Sequence, residues 1–507
     1  MILNIGENEL TLLEIKQVLA GPVKVRITAD AGSLIEKSAA TVERLLQSGK
    51  ALYGINTGFG KLAKTRIAPQ DLTRLQVNIV RSHAAGVGEP LPARIVRLIL
   101  VLKLRSLVQG ASGIAASTAD ALAALINADV LPMIPGQGSV GASGDLAPLA
   151  HMSLVLIGEG EALVTGKRLT GHDALKLAGL SPLALGPKEG LALLNGTQVS
   201  TALALAGLVE AEQNAGAAIL AGSLSLDAIM GSDTPFDARI HALRPHPGQV
   251  TAAAHYRRLM AGSEIRKSHL ENDDRVQDPY SFRCQPQVMG ACLDLINQAA
   301  ATLMIEANGV TDNPLVFADE EAVLSGGNFH AEPVAFAADI LALAIAEIGS
   351  LSERRMAALI DSSISLLPPF LIRNPGLNSG FMIPQCTTAA LMSENKQLAH
   401  PASIDSAPTS ANQEDHVSMA THGARRLLLM NTNLTRIIAI EMMAAAEGID
   451  FRRPLKTSRV LEDVHATIRE VAKPRPEDRE FSSEIEAVAS QIENGRYQKY
   501  VADLIGL

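Results

Sequence analysis

The sequence predicts a mainly α protein: a core bundle of long helices with a smaller mixed α+β part at its N-terminal end. Three observations predict it. Ala/Leu-rich segments recur around 93–128, 188–230, 334–364 and 423–448, apolar round most of the circumference as helices buried on several sides are. The first hundred residues instead alternate short apolar runs with amphipathic stretches. With 47% hydrophobic and 19% charged residues over 507 positions, the chain is long enough to bury a large core. The change of pattern divides it into a mixed α+β part, 1–110, and a helical core and interface region, 111–507, continuous in one body.

In chain order, Val23-Lys24-Val25-Arg26-Ile27 reads as a strand, and 31–46 as a helix, because Leu34, Ile35, Val42, Leu45 and Leu46 recur at helical spacing. A glycine-rich break follows at 53–60. From about Pro92 the pattern is helical. Gly110-Ala111-Ser112-Gly113 lies among Leu107, Val108, Ile114 and Ala115, where small residues permit close helix packing. After a Gly/Pro-rich break at 131–148, strand signals appear at 154–157, 162–164 and 167–169, the last two forming a hairpin around Thr165-Gly166. The longest uncharged run, 190–209, matches a bilayer in length. It contains Asn195, Thr197, Gln198, Ser200 and Thr201, so a buried helix explains it better than a membrane span. Further breaks fall at 274–286 and 368–384, and no repeat of solenoid period is present. Helices this apolar, with no membrane segment, are expected to bury faces against other copies of the chain as well as their own core.

A net charge of −9, 3% aromatics and no Trp argue against nucleic acid, which demands a basic footprint and aromatic platforms. Cys284, Cys292 and Cys386 are too few and scattered for a disulfide framework or a zinc site. Glu7, Glu9, Glu14 and Lys16 occupy the stretch where a secretory signal would be apolar. A cytoplasmic location is expected.

Some motifs fail on context. Gly136-Gln137-Gly138-Ser139-Val140-Gly141 matches a dinucleotide fingerprint literally, with Glu161 downstream, but Pro132 and Pro135 interrupt the strand it requires. Gly60-Lys61 lacks the rest of a phosphate loop. There is no H-E-x-x-H, and His241, His246 and His255 have no metal-ligand spacing and read as surface or capping residues. No metal and no external cofactor are expected.

The second Gly-Ala-Ser-Gly tetrad, 141–144, differs from the first. Gly136 and Gly138 precede it and Asp145-Leu146-Ala147-Pro148-Leu149-Ala150-His151 follow, so here the backbone can fold tightly on itself. In such a turn the Gly144 amide nitrogen can attack the Ala142 carbonyl carbon, glycine offering the least hindrance. Loss of one water from the ring and one from Ser143 leaves an exocyclic methylidene.

The fourteen residues 138–151 closely resemble the active-site signature of the aromatic amino-acid ammonia-lyases, and the resemblance runs along essentially the whole chain. It implies the aspartase/fumarase-like lyase fold and a 4-methylidene-imidazol-5-one formed from Ala142, Ser143 and Gly144 as a covalent, self-derived electrophile. A homotetramer with shared active sites is implied too. Tyr53 and Tyr280, two of only five tyrosines, lie in loops, in 53–60 and in Gln277-Asp278-Pro279-Tyr280-Ser281-Phe282-Arg283. The resemblance implies Tyr53 as base for the β-proton, with Tyr280 its partner near the reacting carbon. A phenol of ordinary pKa about 10 needs cations or donors nearby to act near neutrality. Arg283 fits a carboxylate clamp, Asn195 matches the asparagine beside the electrophile, and Gln277 and Phe329 match further site positions. Tyr256, Tyr497 and Tyr500 read as structural.

Two patterns bear on substrate. Ser82-His83 resembles the histidine-specific branch, whereas phenylalanine and tyrosine enzymes typically carry Phe-Leu or His-Leu there. Gln413-Glu414-Asp415-His416 resembles the same branch, placing the Glu414 carboxylate to bind an imidazole N–H or assist proton movement. L-Histidine is the implied substrate and trans-urocanate with ammonia the products. The alternatives are a tyrosine or phenylalanine lyase, an aminomutase using the same electrophile, and a helical assembly that keeps the fold without the chemistry.

Overall fold

In the computed structural model, which describes every residue except Lys50, Asn272, Asp274, Asp503 and Leu507, the alternating start becomes β1 (Ile2–Ile5), α1 (Leu12–Ala20), β2 (Lys24–Ile27) and α2 (Ala29–Gln47). α1 opens on a capping box between Thr11 and Glu14, which satisfies two otherwise unpaired amides. The crossover through α1 lets β2 lie parallel to β1, Ile2 opposite Lys24 and Ile5 opposite Ile27. Along α2, Ile35 and Val42 are buried and Leu45 and Leu46 partly so, whereas Leu34 of the same predicted face is exposed.

α3 (Leu72–His83) and β3 (Val87–Pro90) lead into α4 (Ala93–Leu107) and α5 (Ala116–Ala128). The helical segment read through 110–113 is broken there, because Gly110 and Gly113 take φ of +72° and +67°, which L side chains rarely adopt. The small residues do permit close approach, though to α2. A Cβ on Gly110 would lie 2.7 Å from Leu34 Cβ, and one on Gly113 2.6 Å from Val42 Cγ2. β4 (Leu131–Pro132) and β5 (Pro135–Gln137) follow. β5 pairs antiparallel with β3, so 136–141 does not leave a parallel strand. α6 (Leu146–Leu156) absorbs most of 154–157 in place of the strand that the sequence suggests there; four apolar residues carry no period that separates a strand from a helix end. The hairpin of β6 (Glu161–Val164) and β7 (Lys167–Thr170) forms as expected, its Thr165-Gly166 turn at φ +48° and +77°.

α7 (Gly171–Leu177) precedes α8 (Glu189–Leu194) and α9 (Gln198–Ala228). The long uncharged run is thus two helices, and Asn195 sits at the end of α8 in extended conformation, φ −86° and ψ 131°, not inside a helix. Gly196, at φ +135°, makes the break. The chain continues through α10 (Ala238–Ala242), α11 (Pro247–Met260), α12 (Glu264–Lys267), α13 (Tyr280–Arg283) and α14 (Gln285–Asn308). The break read at 274–286 therefore holds α13 and the start of α14, and its first residue, Asp274, lies outside the described residues. A small hairpin, β8 (Leu315–Phe317) and β9 (Ala322–Leu324), precedes α15 (Glu332–Ile360), α16 (Ser362–Ser365), α17 (Met382–Leu398), α18 (Ala420–Phe451), α19 (Arg459–Val471) and α20 (Ser482–Glu493).

Two compact units result. One comprises Met1–Ala206, Ala301–Asp339 and Pro401–Arg425, the other Gly207–Ala300, Ile340–His400 and Arg426–Leu507. In the first, Val42, Ile55 and Val316 form a buried cluster with Leu46, Leu52 and Val323 packed on it. It fixes the 53–60 loop between α2 and the β8–β9 hairpin. In the second, the fully buried Arg355 and Glu441 pair two-pronged. There His241 is buried rather than superficial, its ring held by the Pro235 carbonyl and the Gln249 amide at 3.0 Å each. α14, α15 and α18 are long and apolar enough to cross a membrane by length and composition, and 44%, 72% and 78% of their apolar windows are buried inside the protein.

Candidate active site

Residues 141–145 run as successive bends into α6, and neighbouring backbone holds them on both sides. Gly141 and Gly144 take φ of +68° and +71°. A Cβ on Gly144 would lie 2.3 Å from the Gly196 oxygen, and one on Gly141 2.3 Å from Ser418 Oγ, so both positions require glycine on conformation and space alike. The Asp145 amide donates to the Gly196 carbonyl at 2.8 Å, and the Met419 amide to the Val140 carbonyl at 2.9 Å. Ser418 Oγ donates to the Gly141 carbonyl at 3.0 Å. Ala142 is buried. A tripeptide gripped before and after its turn has little entropy left to lose in closing a ring, so the segment fits the self-derived electrophile.

Two buried charges behind it were missed in the sequence. Asp145, fully buried, accepts from the Val199 amide at 3.0 Å, the Ser200 amide at 2.8 Å and Ser200 Oγ at 2.9 Å on one oxygen. Its other oxygen accepts from Ser139 at 2.9 Å and Thr421 at 2.6 Å. A carboxylate at the first turn of α9 meets the positive end of the helix dipole, and this ties the reactive turn to a 31-residue helix. Lys103, fully buried in α4, donates to the Asn195 carbonyl at 2.7 Å. Burial pushes its pKa down to about 7, Asp312 and Asp145 opposing the fall and Lys188 adding to it. Lys188 itself forms a buried ion pair with Asp312 at 2.7 Å. Asp145 lies within the recognised signature. Lys103 leaves one trace in the sequence, a cation that interrupts the apolar run Leu98–Leu104.

Asn195, Glu414, His83, Tyr53 and Phe329 all belong to the same unit as the turn. Asn195 Nδ2 donates to the Ser143 carbonyl at 2.8 Å, while its buried Oδ1 has no hydrogen-bond partner. Such an acceptor is costly to leave unpaired, and it is available to a donor on a ligand. Ser143 Oγ donates to Glu414 Oε1 at 2.5 Å, and Thr409 Oγ1 to Glu414 Oε2 at 2.6 Å. Loss of the Ser143 hydroxyl as water would free Oε1 for another donor while Thr409 keeps the carboxylate in place. His83 ends α3, its Nδ1 2.9 Å from the Ile79 carbonyl. That bond assigns the proton to Nδ1 and leaves Nε2 as the acceptor. Desolvation lowers the His83 pKa, the Ile79 carbonyl and the Glu414 charge opposing it, so the ring stays neutral near pH 7. The Tyr53 hydroxyl accepts the Gly60 amide at 3.1 Å, which holds the ring in place over the 53–60 loop. Phe329 lies two residues before Ala331, whose amide donates to the Gly141 carbonyl at 3.4 Å.

Gln277, Tyr280 and Arg283 belong to the other unit. Gln277 and Tyr280 are exposed, Tyr280 at 70%. The Arg283 guanidinium stacks over the Tyr280 ring at 4.4 Å, and its buried Nε has no hydrogen-bond partner. A stacked, incompletely paired guanidinium is poised to take a carboxylate. Tyr256 and Tyr497 are buried, Tyr256 stacked on Phe236 with ring centroids 4.8 Å apart.

Residues 10–470 match the aromatic amino acid lyase family. Among solved structures, the chain is similar to histidine ammonia-lyase from Trypanosoma cruzi, with 40% identity and a TM-score of 0.92 over 100% of this chain and 96% of that one. It is also similar to tyrosine aminomutase from Streptomyces globisporus, 33% identical with a TM-score of 0.93 over 100% and 99%. The ergothioneine-degrading ergothionase from Treponema denticola is 29% identical, with a TM-score of 0.93 over 98% and 99%.

Proposed function

Because the chain belongs to the aromatic amino acid lyase family, we propose that it eliminates ammonia from L-histidine to give trans-urocanate, as a step of histidine degradation. The observation that carries the choice of substrate is Glu414, a carboxylate fixed beside the reactive turn and within electrostatic reach of a neutral His83. A carboxylate and a neutral imidazole offer acceptors to an imidazole N–H, and neither has a use against a phenyl ring.

The methylidene-imidazolone made from Ala142, Ser143 and Gly144 would supply the electron sink that an amine leaving group requires. The other roles belong to ordinary side chains. The Tyr53 phenol takes the β-proton, with Tyr280 as its partner. Asn195 Oδ1 accepts from the substrate's ammonium group, Arg283 clamps its carboxylate, and Gln277 and Phe329 line the remaining space. Gln277, Tyr280 and Arg283 come from a neighbouring chain of a homotetramer with shared active sites. Exposed apolar side chains on the long helices support that assembly: Ile305 on α14, Phe336 and Leu343 on α15, Ile383 on α17 and Leu429 on α18. Free thiols at all three cysteines support a cytoplasmic setting.

Purified protein with L-histidine is expected to accumulate urocanate, followed by its ultraviolet absorbance, and to leave L-tyrosine and L-phenylalanine largely unchanged. Cinnamate-type product without urocanate would discard the reading of His83 and Glu414, and a β-amino acid product would replace the lyase with an aminomutase. Two variants test the roles. Tyr53→Phe is expected to lower kcat by about 10²–10⁴, the span of general base catalysis, with the intact mass still two waters short. Near-native turnover would remove Tyr53 as the base. His83→Leu is expected to cost roughly 10–100-fold in kcat/KM for histidine, the scale of one lost polar contact; an unchanged ratio would free His83 of any part in specificity.

A further inference from the structure

The sequence offers no metal-ligand spacing, yet the first unit brings together a donor set that the reaction does not use. His330 Nδ1, Glu332 Oε2 and His416 Nε2 lie within 4.8 Å of one another, the carboxylate oxygen 3.9 Å from each nitrogen. Three features make this more than a chance cluster. His330 Nε2 lies 3.2 Å from the His416 backbone carbonyl, so that nitrogen carries the proton and Nδ1 presents a lone pair, as the second partner of a metal-bound histidine does. Glu332 Oε2 is buried with no hydrogen-bond partner, which is costly for a carboxylate unless a cation meets it. The two imidazole rings are nearly parallel, at 7° with centroids 5.8 Å apart, and both edges reach the same carboxylate.

We propose that His330, Glu332 and His416 bind one divalent first-row cation, zinc above all, with a fourth position open to solvent. Two neutral imidazoles and one carboxylate suit zinc. Bond lengths near 2.0–2.1 Å demand ligand separations of about 3.4 Å, so the donors would close by roughly 0.5–1.5 Å. His416 has a 71% exposed side chain and can make that adjustment. The ion would join two loops of the site: His330 follows Phe329 directly, and His416 lies two residues after Glu414. Occupancy would therefore bear on the placement of Phe329 and Glu414 whichever amino acid is the substrate.

The test is binding without substrate, since L-histidine itself chelates zinc. Chelator-treated full-length protein carrying Cys386→Ser, which removes the exposed thiol, is titrated with zinc chloride by equilibrium dialysis. One equivalent per chain is expected. His416→Ala and Glu332→Gln should each weaken binding at least tenfold, since even outer partners of a metal ligand act on that scale. His416→Ala removes a largely exposed side chain and is expected to fold, as circular dichroism would verify. Unchanged affinity in both variants, or no binding up to millimolar zinc, would overturn the proposal.

Discussion

Ser143→Ala is expected to abolish turnover, by at least about 10³-fold, while the protein still folds. Removal of one oxyanion donor from an acyl-transfer enzyme costs 10²–10³-fold, and this substitution removes the electron sink itself, because alanine has no hydroxyl to lose. The packing around the turn does not depend on that hydroxyl. Gly141 and Gly144 keep their contacts with Ser418 and Gly196, and Asp145 keeps its bonds to the start of α9. The lost Ser143–Glu414 hydrogen bond is part-buried and is worth roughly 1–3 kcal/mol to a charged acceptor. Intact mass reads the chemistry directly. Wild-type protein should be lighter than its sequence by two waters, and the Ser143→Ala chain by no more than one. A wild-type mass equal to the sequence, or a variant that still turns over substrate, would overturn the self-derived electrophile in this chain.

What the sequence made legible was local. The turn at 141–144 could be read because glycine before and after a small serine implies a tight backbone, and the positive φ at Gly141 and Gly144 bears that out. The hairpin at Thr165-Gly166 and the buried face of α2 were legible for the same kind of reason, a turn dipeptide and a helical period. Asn195 was harder. One glycine in an apolar run reads as a tolerated helix residue, and only the approach of Gly196 to Gly144 turns it into a break. Lys103 and Asp145 were harder still, since one of four cations in a helix says nothing of a carbonyl 92 residues away. His330 and His416 stand 86 residues apart, and no spacing rule relates them.

Lys103→Met is expected to alter how stability depends on pH, and to do so through a fully buried amine near the turn. In the folded chain burial lowers the Lys103 pKa to about 7, whereas an unfolded lysine titrates near 10.4. Between those values the unfolded chain holds the extra proton, so stability rises with pH across the window and levels off above it. Below pH 7 the folded protein carries the whole penalty of a dry ammonium. A displacement of more than three pKa units corresponds to roughly 4–5 kcal/mol. Methionine has nearly the same length and no proton to lose, so the difference between wild-type and variant unfolding curves should climb from pH 7 to about 10 and be flat on either side. The substitution also leaves the Asn195 carbonyl without its 2.7 Å donor. The Asn195 side chain holds the Ser143 carbonyl, so kcat should fall about tenfold or more, and part of the protein should retain the mass of the unclosed tripeptide. A donor with no lowered pKa would restore the anchor alone, which Lys103→Arg tests through recovery of the mature mass. Parallel pH curves for wild type and Lys103→Met would show that burial does not lower the lysine's pKa, and a fully mature, fully active Met variant would remove it from the positioning of the turn.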